Sequence, residues 1–589
     1  MTYQHCSLLV SGLIAALLIL PRPVLAVESA SAEIDQRAKD PNQWPAPGRH
    51  NKLTRHSELN DINTDNVKKL QMIWAQSTGA LRGAEGQPIV IGDVGGKTML
   101  FMVSGCPAMS NCNVVQALDL TDPDNPKQVW NYVKKTDRDE SAVPRACCDT
   151  VNRGLNYAKG KIITHTLDGF VIALDAQTGE ELWVVKNAYP EKGETETSPT
   201  LIAENLVIAG FGGDEFAARG RMTAYDLDTG KRVWNCHATG SDKDVCLTPD
   251  TNKAHPEYGT YGKDLGISTY PNDDWKIGGG AFWGFFSYDP ELKLVYSSTG
   301  NPGLWSPSVR CGDKTHEECN TGKWDNKWSL TIFARKVDTG EVVWAYQMTP
   351  FDQWDYDGVN ENMLTDIEID GKTVKALTHF DRNGFAYVLD RTDGTLLRAT
   401  PFVKKLTWAS GIGADGRPVL NANQTPTPDG VTVCPAVEGA TNWFSTAFDA
   451  AQGLYFVQAL EKCTVYTLVP GVWEAGKSFY SGTTRSVPGE RGEKILRALE
   501  LATGQVRWEV PQIGSGNSWG GVLATAGGVV FFGDDSGAFA AVDSATGRRL
   551  WQFQTNVLWK ASPMTYVFDG RQYVAVAAGG SILSFALTP

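Results

Sequence analysis

Ala173-Leu174-Asp175-Ala176-Gln177-Thr178-Gly179-Glu180-Glu181-Leu182-Trp183 contains a phrase that returns along the chain: Ala-x-Asp, then Gly, then Trp. Ala224-Tyr225-Asp226 leads through Gly230 to Trp234, and Ala541-Val542-Asp543 through Gly547 to Trp551. Ala334 leads to Gly340 and Trp344, while Ala498, with Glu500 in the Asp place, leads to Gly504 and Trp508. Val388-Leu389-Asp390 reaches Gly394 but has Arg398 where Trp is expected. Ala117-Leu118-Asp119 reaches Trp130 through a longer turn that contains proline. In each copy a strand ends at the Asp, Gly supplies a positive φ in the turn, and a second strand begins just before the Trp. Hairpins repeated in this way cannot bury their faces alone, so neighbouring units stack, and radial stacking gives a β-propeller.

Most copies are about 50 residues apart, the size of one propeller blade. Two longer gaps, 234–344 and 398–508, each hold one set of strands and long loops. An eighth blade combines an early strand near 69–76 with C-terminal strands at 564–568 and 573–578, which closes the ring and hides its edges. The expected fold is therefore all-β, an eight-bladed propeller spanning 27–589 as one domain. Composition agrees: 60 Gly favour frequent tight turns, and 19 Trp with 18 Tyr favour strands.

The first 26 residues read as a signal peptide. The apolar run 8–20 is too short to cross a hydrocarbon layer of ~30 Å, and Val24-Leu25-Ala26 is a small-residue cleavage pattern. The n-region lacks Lys and Arg, so an uncleaved anchor is the alternative. No other segment is long and apolar enough to span a membrane, so an exported protein is expected. Loss of 1–26 removes one charge, Arg22, and leaves a net charge of −14, which argues against nucleic-acid binding. GlyGlyLysThr at 95–98 is only a faint phosphate-loop likeness, with Gly92 one residue too close and no βα unit around it.

Ten cysteines remain after the leader, in close pairs: Cys106/Cys112, Cys147/Cys148, Cys236/Cys246, Cys311/Cys319 and Cys434/Cys463. Disulfides are the default in an oxidising compartment, and nearest-neighbour pairing is the economical arrangement, although spacing alone does not fix connectivity. Finger-type spacings are missing and His is scarce, which disfavours zinc. Adjacent Cα atoms sit ~3.8 Å apart, shorter than ordinary disulfide separations. Cys147 and Cys148 therefore either form a strained small ring, bond elsewhere or stay reduced.

With its flanks, Cys147-Cys148-Asp149-Thr150-Val151-Asn152-Arg153-Gly154 resembles the vicinal-disulfide segment of the pyrroloquinoline quinone (PQQ)-dependent methanol and ethanol dehydrogenase family. Further matching stretches follow in the family's order: Leu81 to Gly86, Glu215 to Gly220, Trp283-Gly284 before Tyr288-Asp289-Pro290, and Thr299-Gly300-Asn301-Pro302. Trp354-Asp355-Tyr356-Asp357-Gly358 and Asp381-Arg382-Asn383-Gly384 complete the set, and the Trp phrase is that family's docking motif. The resemblance covers nearly the whole mature chain.

The resemblance implies a set of site residues. Glu215, Asn301 and Asp355 are oxygen donors, the type a hard cation requires, and in the family they hold the metal beside the quinone. Asp355 is the expected base that takes the alcohol's proton, and Arg382 the expected arginine beside the quinone oxygens. The Cys147–Cys148 ring and Trp283 would sandwich the cofactor. Arg153 and Thr197 would meet its carboxylates, and Gly212, Gly213 and Asp214 would bring backbone close to the ring. Glu85, Asn442 and Trp519 are further expected contacts. Gly212 stands where some members have serine, so one cofactor hydrogen bond is expected to be missing. Trp305, four residues after Asn301, is expected to wall the substrate pocket against sugars. Asp357 marks the lanthanide type, because an added carboxylate favours a trivalent over a divalent ion by a factor of three to two; calcium is the alternative.

The expected activity is periplasmic oxidation of a small primary alcohol, methanol or ethanol. No Cys-x-x-Cys-His is present for a covalent haem, so a separate cytochrome c is the expected electron acceptor. A homodimer is one option for assembly. The competing readings are a non-catalytic envelope propeller, which would not need the adjacent cysteines or the Glu215, Asn301, Asp355 and Arg382 set, and a PQQ enzyme for sugars or bulkier alcohols.

Overall fold

The computed structural model describes residue 1 and residues 28–588, apart from 81–82, 106–112, 147–150, 312–313, 315, 320, 370, 470–473, 475 and 479. Nearly all of the expected leader, together with Cys106, Cys112, Cys147 and Cys148, thus lies outside the described residues. Disulfides join Cys236–Cys246, Cys311–Cys319 and Cys434–Cys463. No helix among the described residues is long and apolar enough to cross a membrane.

The chain is all-β. After one helix, Ala30–Ala38, four-stranded antiparallel sheets follow one another at 89–133, 156–186, 201–237, 287–347, 363–401 and 447–511, and a five-stranded sheet sets the antiparallel strands at 522–554 beside the short parallel strand His56–Ser57. A further sheet joins the chain's ends: Leu70–Ser77 pairs antiparallel with Ser581–Leu587, followed by Arg571–Ala578 and Met564–Phe568. Ser581–Leu587 is a strand that the sequence reading did not include. It lies between the N-terminal strand and Arg571–Ala578, which were expected to be the partners.

The repeated phrase acts twice in each unit. Asp175 Oδ1 accepts the N–H groups of Gln177 and Thr178, and Gly179, at φ 76°, closes the turn onto Asp175. The Trp183 indole then donates to the Leu227 carbonyl of the next sheet at 2.9 Å. A β-carbon on Gly230 would sit 2.9 Å from that indole, so glycine there serves both the turn and the flat face of the neighbouring ring. The same pairing recurs for Trp130 with Ala176 and Gly179, Trp234 with Val337 and Gly340, Trp344 with Arg391 and Gly394, and Trp508 with Ser544 and Gly547. Trp551 donates to Leu70, so the contact carries across to the sheet that holds the N-terminal strand. Where Arg398 replaces Trp, Gly504 faces Thr400 and the Arg398 stem instead.

Arg391, almost fully buried, reinforces one such junction. Its carbonyl accepts both the Trp344 indole and the Tyr296 hydroxyl, while its guanidinium binds Asp289 at 2.6 Å and Asp366 at 2.7 Å. Burial pushes the Asp289 carboxyl up, but Arg391 and the N–H groups of Leu292 and Glu291 outweigh it and hold the group below its ordinary 3.8. A depressed folded-state pKa contributes stability that is present above the unfolded value and lost as pH falls through the folded one. Asp289→Asn is therefore expected to be less stable than the parent at pH 7, with the gap closing as pH falls below 3.8. Denaturant titrations from neutral to acid pH would measure it, and a gap that does not change with pH would contradict the assignment.

Candidate active site

In a four-stranded antiparallel sheet, the approach to the first strand and the turn between the second and third lie at the same end. The expected site residues all fall in these two connections. Glu85, Arg153, Thr197, Trp283, Asp355, Asn442 and Trp519 precede first strands. Gly212 to Glu215, Asn301 and Arg382 lie between second and third strands. The Asp-to-Gly turns of the repeat occupy the opposite end. Strand direction alone therefore gathers residues more than 400 positions apart in the chain at one end of the fold. There most of them border a cavity of about 260 Å³ whose walls include Arg153, Thr197, Gly212, Gly213, Trp283, Asn442 and Trp519.

Its floor is a buried carboxylate cluster. Asn301 Nδ2 donates to Glu215 Oε1 at 2.7 Å and to Asp355 Oδ1, while Asn301 Oδ1 accepts the Gly303 N–H at 2.9 Å. Asp357 Oδ1 accepts the Asn301 N–H at 2.7 Å, and Asp357 Oδ2 accepts from Arg382. Arg382 also meets Asp355 Oδ2 at 3.3 Å. Asp355 and Asp357 have φ of 61° and 41°, a left-handed conformation unusual for aspartate. Asp352 holds that loop: its carboxylate accepts the N–H groups of Trp354, Asp355 and Tyr356.

The electrostatics follow from crowding. Burial pushes the Asp355 carboxyl well up, and Glu215, Asp357 and Asp352 add to it against the pull of Arg382. Burial, with Glu215, raises Asp357 to about 7 despite Arg382. Asp214 is also raised well above the usual range, by burial and then by Asp357 and Glu215. Burial works against the Arg382 cation, but Asp355 and Asp357 outweigh it and raise its pKa. Arg382 Nε has no hydrogen-bond partner among the described residues.

On the opposite wall Arg153 donates to Thr197 Oγ1 at 2.8 Å and to Glu85 at 3.1 Å. Its guanidinium lies 4.3 Å from the Trp443 ring centroid and 5.3 Å from that of Trp283. A β-carbon on Gly212 would come within 3.3 Å of Trp283, so glycine lets the segment lie against the indole. Glu85, expected as a direct contact, is not among the residues lining the cavity and reaches it through Arg153. Asn442 lines the cavity, but its side chain is held by the Glu438 carbonyl and the Trp443 N–H.

Trp305 is not among the residues lining the cavity. Gly303, at φ 85°, turns the chain after Asn301, and the indole packs 4.9 Å from Tyr480, which does line the cavity. Sequence reasoning also missed Trp443, which stacks with Trp519 at 6.3 Å, and Glu438, Val437 and Arg145 on the wall. Only Trp443, adjacent to Asn442, carried a nearby signal.

The residues fit the groups the resemblance implies. Four carboxylates and an amide around one guanidinium form an oxygen set suited to a hard cation, provided the Asn301 amide turns its oxygen toward Glu215 and Asp355. Flat indoles, the Arg153–Thr197 pair and the unpartnered Arg382 Nε suit a planar, anionic quinone.

The family model for the PQQ-containing glucose/ethanol/alcohol dehydrogenase β-propeller domain matches residues 44–401 and 495–574. This chain belongs to the PQQ-dependent alcohol dehydrogenases. It is 42% identical over 564 residues to a lanthanide-dependent methanol dehydrogenase of Methylacidiphilum fumariolicum, covering 94% of this chain and 87% of the relative. It is 37% identical over 570 residues to methanol dehydrogenase [cytochrome c] subunit 1 of Paracoccus denitrificans, covering 94% and 86%. Among solved structures it resembles a europium-containing methanol dehydrogenase, with a TM-score of 0.86 and 39% identity over 94% of this chain and all of that one.

Proposed function

We propose that this chain is an exported, eight-bladed propeller that oxidises a small primary alcohol such as methanol or ethanol to the aldehyde, using PQQ and a lanthanide ion. The observation that carries the reading is the convergence of Glu215, Asn301, Asp355, Asp357 and Arg382 on one buried floor, from three sheets of the ring. Glu215, Asn301, Asp355 and Asp357 would hold the cation. Trp283, Arg153, Thr197, Gly212, Gly213 and Trp519 would hold the quinone, with the Cys147–Cys148 ring over its second face. Seven four-stranded sheets and one five-stranded sheet around the ring, with indole contacts at six of their junctions, support the blade count.

When bound, PQQ supplies a two-electron acceptor for the carbinol hydrogen, and the cation a Lewis acid at its carbonyl. Asp355 takes the hydroxyl proton. It is the better placed of the two aspartates, because Asp357 is already engaged by Arg382 and the Asn301 N–H. Asp352 fixes the Asp355 backbone, so the carboxylate needs little reorganisation before it acts. Arg382 steadies the charge on Asp355. A cavity of about 260 Å³ is small for a cofactor and substrate together, which favours alcohols of few heavy atoms over sugars.

Electrons leave to a separate cytochrome c, in keeping with the lack of a haem-attachment motif and the name of the Paracoccus relative. The leader sequence supports a periplasmic location, and a homodimer is one compatible assembly. Purified protein reconstituted with PQQ and lanthanum is expected to turn over methanol and ethanol with an artificial electron acceptor, with less activity in calcium and none on glucose. Asp357→Ala is expected to abolish the lanthanum-supported rate. Calcium-only activity would overturn the metal assignment, and no turnover with any combination would overturn the function.

A further inference from the structure

Two sets of aromatic rings meet at the cavity. One is gathered about Arg153, whose guanidinium lies over both Trp443 and Trp283, with Trp519 stacked on Trp443. It is the wall assigned above to the quinone. The other set is attached to the loop that carries Asp355. Tyr480 lines the cavity, its ring centroid 4.9 Å from that of Trp305. Trp305 meets Tyr466 edge-on at 6.0 Å, and the Tyr466 hydroxyl donates to the Trp354 carbonyl at 2.9 Å, one residue before Asp355. Trp305 and Tyr466 are both buried, and Tyr480 is the one member of this second set that lines the cavity.

Tyr480 is held as well as placed. Its carbonyl accepts the Trp305 N–H at 3.0 Å, and Ser481 Oγ accepts the Ser306 N–H at 2.9 Å. Ser481 turns the chain at φ 52°, and a β-carbon on Gly482 would come within 3.3 Å of the Trp305 indole. Two hydrogen bonds and a close backbone approach thus fasten 480–482 to 305–306, with the indole packed against the phenol ring. Burial raises the pKa of the Tyr480 hydroxyl, and the carboxylates of Glu215 and Asp355 raise it further, so the ring stands near the acidic floor.

We propose that Tyr480, braced by Trp305, is the specificity-determining residue that limits substrate chain length: its ring stops the alkyl chain of an alcohol whose hydroxyl lies at Asp355. The inference rests on the function proposed above and names the part of that site that selects short primary alcohols. The hydroxyl must reach Asp355, and the quinone takes the wall about Arg153, so the alkyl chain is left the space bounded by Tyr480. Trp305 acts through Tyr480 and is a positioning residue. The limit is one of shape, so a ring without the hydroxyl should keep it and a small side chain should lose it.

The test uses full-length protein loaded with PQQ and lanthanum, with kcat/KM measured for ethanol and hexan-1-ol. In Tyr480→Ala and Tyr480→Val the ratio of hexan-1-ol to ethanol is expected to rise at least about tenfold, the discrimination that one methylene in an apolar pocket can carry. In Tyr480→Phe it should stay within about threefold of the parent, and Trp305→Leu should raise it by less than Tyr480→Ala does. Dissociation constants of the two alcohols, read by saturation-transfer NMR on protein holding reduced PQQ, where no turnover occurs, should shift in the same sense. A purely structural role would weaken both alcohols alike. Equal losses for the two, or an unchanged ratio in a Val variant that retains PQQ and lanthanum, would overturn the proposal and leave the function standing. So would a parent that uses hexan-1-ol as well as ethanol. A parent that turns over no alcohol would overturn the function, and this inference with it.

Discussion

Asp355→Asn is expected to lower kcat for methanol by about 10²- to 10⁴-fold, the usual span for a general base. The side chain lines the cavity floor and is less encumbered than Asp357, touching Asn301 and, at 3.3 Å, Arg382. Asn preserves its shape and an oxygen for the cation but cannot accept the proton. Because Asp352 holds the backbone of residue 355, the loop should keep its conformation and the fold its stability. Steady-state kinetics on enzyme shown by elemental analysis to retain its metal would separate loss of the base from loss of the ion. A metal-replete variant within tenfold of the parent kcat would exclude Asp355 as the base, and a variant without metal would assign the residue to coordination first.

The largest effect on stability is expected at Trp344. The indole is 1% exposed, donates to the Arg391 carbonyl at 3.1 Å and is covered by Gly394 of the next sheet. Trp344→Ala leaves a cavity between two sheets and removes one of the two hydrogen bonds to the carbonyl of Arg391, which also ties down Asp289 and Asp366, and a cost of about 3–5 kcal/mol follows. Denaturant midpoints would report it where unfolding is reversible, and inactivation half-lives at fixed temperature where it is not. A loss under about 1 kcal/mol would show that the neighbouring sheets close over the gap and that the indole is not the fastener its position suggests.

The architecture was readable because each repeat satisfies two constraints with nearby residues. Gly230 must both turn its own chain and lie flush on Trp183, so the phrase stays intact wherever a junction uses it. Ser581–Leu587 escaped notice because its stabilising partner, Leu70–Ser77, is near the other end of the chain and no Asp-to-Gly-to-Trp phrase marks it. The site was readable where short motifs carried it, as at Glu215, Asn301, Asp355 and Arg382. Trp443 and Tyr480 lie in long connections with no periodicity, and only packing brings them to the cavity. Asp214 was legible for its backbone but not for its buried side chain, since its nearness to Asp357 arises only when loops of two sheets separated by a third meet at one end of the ring. Trp305, four residues from Asn301 in sequence, packs on Tyr480 after the turn at Gly303, a neighbour that spacing alone does not name.

The pairing of Leu70–Ser77 with Ser581–Leu587 makes an N-terminal strand and the last strand of the ring hydrogen-bonded neighbours. Contacts that distant along a polypeptide are the slowest to form, so no intermediate made early in synthesis can clasp the circle shut. In a chain made from its N-terminal end, the ring therefore stays open at two edges until the strand at 581–587 is available to join them.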